Sequence, residues 1–93
     1  MSNAEEGWRG FLALCNQCKT PEKLEELFEL FLTLEEKDDL AKRYLLVRGL
    51  LKGKKTQRQL ARELGVGIAT VTRGSNALKS VNKKLKEKLC DSF

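Results

Sequence analysis

The sequence has no histidine, and only one proline, one tryptophan and one tyrosine. Without histidine the chain lacks the usual general base near neutral pH and the commonest metal ligand. Its acids fall on helix surfaces, no phosphate-cradling glycine loop follows a strand, and no nucleophile stands beside a base. Catalysis is therefore not expected, and neither is a cofactor or a metal site. Alternating apolar and polar runs are missing too, which excludes a sheet and leaves an all-α class. The longest unbroken apolar runs reach about five residues, far below the ~20 of a membrane-spanning helix. No leader pattern is visible, so a cytoplasmic protein with no membrane partner is expected. Three cysteines form no disulfide framework and suit the same compartment.

What is present centres on residues 56–79. Thr56 is a good N-cap, and Gln59 three places on completes a capping box. Leu60, Ala61 and Leu64 repeat at helical spacing. Gly65 then supplies the left-handed backbone that often ends a helix. Gly67 can cap a second helix carrying Ile68, Val71, Ala77 and Leu78. Two helices joined this tightly make a helix-turn-helix, with Ala61 small enough for the contact and Val66 and Val71 filling the corner. The open side of the second helix begins Ile68-Ala69-Thr70, with Thr72 one turn on. Such short side chains allow close approach to base edges, where methyl groups meet thymine and hydroxyls bond either class of edge.

Charge follows the same segment. Residues 53–79 carry six Lys or Arg and one acid, a net of +5, against −2 for residues 1–52 and +2 for residues 80–93. Positive charge thus gathers where a phosphate backbone would dock. A solvated helical hairpin with ordinary surface lysines would share the caps and the glycine stop. It would not also need the small contact residue and the concentrated charge, so DNA binding is the better reading.

The remainder is helical and expected to be a single domain over residues 1–93. Met1-Ser2-Asn3-Ala4 reads as an appended tag and is set aside. A first helix is expected over about residues 4–19, with Trp8, Phe11, Leu12, Cys15 and Cys18 on one face. The Cys15–Cys18 spacing could suggest zinc or redox chemistry. A zinc site needs about four ligands, so two small buried residues are the better reading. Thr20-Pro21 starts a second helix, over 21–32, whose apolar arc takes in Leu24, Leu27, Phe28, Leu30, Phe31 and Leu32. Thr33 with Glu36 opens a long third helix, 34–52, closed by Gly53. A last helix spans 83–91, with Leu85 and Leu89 as its apolar pair. The wide arcs of the second and third helices exceed what 93 residues can bury alone, so a second subunit is expected to complete the core.

The run Gly67-Ile68-Ala69-Thr70-Val71-Thr72-Arg73-Gly74-Ser75-Asn76-Ala77-Leu78-Lys79 resembles the bacterial tryptophan repressor family. Gln57-Arg58-Gln59-Leu60, Glu63-Leu64-Gly65, Leu32-Thr33-Leu34-Glu35-Glu36 and the stretch from Arg43 to Gly53 carry the same likeness. The resemblance implies a six-helix chain in an intertwined homodimer, activated by L-tryptophan and repressing genes of tryptophan biosynthesis or uptake from operator DNA. It implies that Arg43 and Arg73 sandwich the indole ring. It places Thr33 near the ligand, Gly74 on the pocket floor, Val47 in the pocket wall, and the Leu30 and Leu32 carbonyls of the second subunit on the amino group. Ala77 departs from the family, which has a serine contacting that amino group. One polar contact is thereby in doubt, and with it the discrimination against indole analogues lacking the amine.

For DNA, Ile68, Ala69 and Thr72 are the base-side candidates. Gln57, Arg58, Gly67, Thr70, Asn76 and Lys79 are the backbone-side candidates. A lysine common in the family on the first helix of the reading unit is Ala61 here, with Arg62 beside it as a partial substitute. Two other readings remain open: a regulator of the same fold that ignores tryptophan, and a helical interaction module whose basic hairpin binds an acidic protein.

Overall fold

A computed structural model describes residues 2–93, and every regular element among them is a helix. These are α1 (Asn3–Gln17), α2 (Pro21–Phe31), α3 (Leu34–Lys52), α4 (Gln57–Leu64), α5 (Ile68–Lys79) and α6 (Lys83–Ser92). By its internal packing the chain has two compact units, Met1–Glu36 and Lys37–Phe93. No helix among the described residues is long and apolar enough to cross a membrane.

Local chemistry sets the helix ends. Thr20 accepts a hydrogen bond from the Lys23 N–H, and Pro21 occupies the first helical position. Thr33 and Glu36 form a reciprocal box. The Glu36 N–H donates to the Thr33 hydroxyl at 3.1 Å, and the Thr33 N–H donates to the Glu36 carboxylate at 2.9 Å. Thr56 and Gln59 repeat that arrangement at the start of α4. Gly65 closes α4 at φ 65°, where a Cβ would be strained.

The start of α1 differs from expectation. Ser2 and Asn3, set aside as part of a tag, cap and begin the helix, because the Ser2 hydroxyl accepts from the Glu5 N–H at 3.1 Å. The helix also ends at Gln17, before Lys19. Cys18 already has an extended backbone as its C-cap and leads into the Thr20 cap.

Within the first unit, Phe11 gathers the other rings. Its centroid lies 6.0 Å from Trp8, 6.0 Å from Phe28 and 5.3 Å from Phe31. Neither α1 nor α2 contains a fully buried residue. The second unit has a small sealed core of Leu46, Leu60 and Val71. Leu50, Ala61, Leu64 and Val66 pack around it. Burying three such side chains contributes roughly 1.5–3 kcal/mol each. Phe93, at the end of α6, rests edge-on against Tyr44 of α3.

Candidate functional site

Two glycines let α3 lie close against α4 and α5. A Cβ on Gly49 would come 2.6 Å from Leu60 Cδ2, which no side chain occupies without displacing the leucine. A Cβ on Gly74 would stand 3.0 Å from Leu46 Cδ2. The first approach seats α4 on the end of α3. The second brings the middle of α5 onto Leu46 and leaves a cleft alongside that contact.

This cleft has a volume of about 690 Å³ and belongs wholly to the second unit. Such a size falls within the ~300–1,000 Å³ range of small-molecule sites. Five candidate ligand residues line it together: Arg43 and Val47 from α3, and Arg73, Gly74 and Ala77 from α5. Two guanidinium groups thus border one largely apolar hollow. A flat cation of this kind can stack on an aromatic face and hold a carboxylate through two N–H donors.

The cleft also contains residues that the sequence did not single out for it. Leu46, Leu78, Val81 and Leu89 supply apolar wall, and Thr70 supplies a hydroxyl. Leu46 follows Arg43 by one helical turn, a signal that was available. Val81 lies in the break before α6 and gave none. Thr70 was expected on the DNA-backbone side. It is half-buried, and it lines both this cleft and a smaller one of about 210 Å³ beside Asp39, Lys42 and Arg43. Thr33, Leu30 and Leu32 fall in the first unit, with Leu30 and Thr33 exposed and Leu32 half-buried at the end of α2.

The outer side of α5 has a separate character. Ile68, Ala69, Thr72, Asn76 and Lys79 are all exposed, with Ile68 open to 49% of its surface. Positions 68, 72, 76 and 79 follow one helical face. Gly67 is the N-cap of this helix and offers no side chain there. Gln57 and Arg58 stand exposed at the start of α4. The Thr72 hydroxyl lies 3.0 Å from the Ile68 carbonyl and 3.4 Å from Gln57 Oε1, tying the two helix starts together.

The cysteines stand apart from both surfaces. Cys15 and Cys18 are half-buried on and just after α1, and the Cys18 thiol donates to the Leu14 carbonyl. Cys90 is exposed on α6. Among the described residues, no three His, Cys, Asp or Glu side chains are placed to share a metal ion.

The family model described as Trp repressor protein matches residues 6–92. A Trp operon repressor homolog of Chlamydia caviae is 51% identical over 83 residues, covering 89% of this chain and 82% of that protein. One from Chlamydia trachomatis is 49% identical over 88 residues, covering 94% of each chain. A third, from Vibrio parahaemolyticus, is 40% identical over 82 residues, or 88% of this chain and 80% of that protein. The all-helical architecture agrees with these matches, and the chain belongs to the Trp repressor family, whose members regulate transcription and are not enzymes.

Proposed function

We propose that the protein is a homodimeric helix-turn-helix repressor of the cytoplasm that binds operator DNA when L-tryptophan occupies the α3–α5 cleft. No cofactor beyond that regulatory ligand is required. The observation that carries the reading is that Arg43 and Arg73 border one cleft beside the helix whose opposite face is exposed. The indole would stack between the two guanidinium groups, and the Gly74 backbone would form the floor. The Leu30 and Leu32 carbonyls of a second copy would take the amino group, with Thr33 near them. Ala77 offers that amine nothing, so the ligand should be discriminated less sharply from indole propionate.

The mechanism rests on differential affinity, since a ligand shifts an equilibrium only by the difference in its binding to the two states. Tryptophan held against α3 on one side and α5 on the other favours one setting of the reading helix. In helix-turn-helix dimers, the Trp repressor among them, paired reading helices enter successive major grooves ~34 Å apart. Ile68, Ala69 and Thr72 would then meet base edges. Gln57, Arg58, Asn76 and Lys79 would reach phosphates, as would the Gly67 backbone.

A gel-shift on palindromic operator fragments upstream of tryptophan biosynthesis or uptake genes tests this, with and without tryptophan. A tryptophan-dependent shift is expected. A shift indifferent to tryptophan leaves DNA binding and removes the ligand. No shift in either condition removes both. Arg58→Ala should weaken all sequences alike and reduce the slope of log K against log salt by about 1. Thr72→Ala should mainly change sequence preference.

A further inference from the structure

A second groove lies on the other side of α3, where its last turns meet the linker and α4. Its volume is about 310 Å³, and it shares no lining residue with the cleft between Arg43 and Arg73. Arg48 and Lys52, one turn apart on α3, reach it together with Lys54 and Lys55 from the linker. Gly53, at φ 66°, makes the reversal that sets the linker lysines beside the end of α3. Its one acid is Glu63, which is taken by Lys55. Among the described residues, Arg48, Lys52 and Lys54 have no carboxylate within ion-pair distance. Arg48 is half-buried, with its guanidinium 5.6 Å from the centre of the Tyr44 ring. The floor is apolar, with half-buried Leu45, Leu64 and Gly49 at its surface and the buried Leu60 beneath them.

We propose that this groove binds a small organic polyphosphate of the nucleoside diphosphate class. Three cations without counter-charge, arriving from two elements, repel one another until an anion joins them. Phosphates satisfy lysine as a point charge and arginine as a two-pronged donor. The half-buried Leu45 and Leu64 give the planar, weakly polar half of the ligand an apolar surface to cover. A DNA backbone would use the rim and leave that floor empty, which favours the small ligand. The proposal is independent of the tryptophan reading, because the two clefts are lined by different residues.

Calorimetry on the full chain tests it with ADP, pyrophosphate, adenosine and sulfate at matched ionic strength. ADP is expected to bind saturably at one site per chain, about tenfold or more tighter than pyrophosphate, adenosine or sulfate. The double variant Lys52→Gln, Lys54→Gln should lose about tenfold in ADP affinity, since both side chains are exposed and their removal leaves the core intact. Lys83→Gln with Lys84→Gln, an equal change of charge on α6, should leave it unaltered. No saturable heat with ADP overturns the proposal, as does equal binding of adenosine or sulfate, or an equal loss in the α6 control. Pyrophosphate binding as tightly as ADP overturns the assignment to nucleotides. If the groove variant keeps its ADP affinity and instead lowers the salt dependence of DNA binding, the groove is a contact for the DNA backbone and the proposal fails.

Discussion

In the first unit three rings meet around Phe11, yet neither of its complete helices buries a single residue. In the second, Leu46, Leu60 and Val71 are sealed from solvent without any aromatic side chain. The richer supply of apolar surface has thus produced the poorer core. Two short helices have too little surface to enclose their own rings. Trp8 remains 61% exposed, Leu30 79% and Phe31 48%. Large apolar side chains left open in this way are the material of an interface, and a second copy of the chain is the cover proposed for them. The second unit reaches closure with smaller residues because Gly49 and Gly74 let its helices approach.

Breaking the interface proposed for the first unit should have the largest effect. Phe31→Asp puts a carboxylate on a face that the proposed dimer covers. Sedimentation should show the dimer constant weakened about a thousandfold, a loss of roughly 4 kcal/mol. An unchanged constant would mean that this face stays in water. Next comes the second unit's core. Leu60→Ala should lower the unfolding free energy by about 3 kcal/mol, measured by urea denaturation. A local and smaller effect is expected of Thr56→Ala, about 1 kcal/mol on the same scale, because the substitution takes the hydroxyl acceptor from the Gln59 N–H. Smallest of all is Asp38→Asn. The Lys42–Asp38 pair is 40% and 63% exposed, so less than about 0.5 kcal/mol should be lost. A larger loss there would show that Lys42 or Asp38 is covered in the assembled protein.

The parts of the fold legible in the sequence were those fixed within a few residues. Thr20, Thr33 and Thr56 cap where their hydroxyls precede a free N–H three places on, and Gly65 stops α4 for reasons contained in its own backbone. The cleft was legible through resemblance at Arg43, Val47, Arg73, Gly74 and Ala77. Its remaining wall was not, because Val81 and Leu89 reach it only once α6 has folded back. Gly49 was equally silent. In sequence it is one helical glycine among several, and only the position of Leu60 shows that a larger residue there would displace that leucine. Thr70, expected to face the DNA backbone, also lines the cleft, and its sequence position gave no sign of that. Periodicity gives a helix its faces, but the neighbours decide which face they cover.

The hydroxyl of Thr72 has one proton, and its two nearest partners, the Ile68 carbonyl and Gln57 Oε1, are both acceptors. Whichever of them receives that proton, the oxygen has only lone pairs left for anything outside the protein. Facing a groove floor, it would select amino groups, the exocyclic nitrogens of adenine or cytosine, and would be indifferent or averse to the keto oxygens of guanine and thymine. The helix's own backbone would in that way have settled half of a base preference before any duplex arrived.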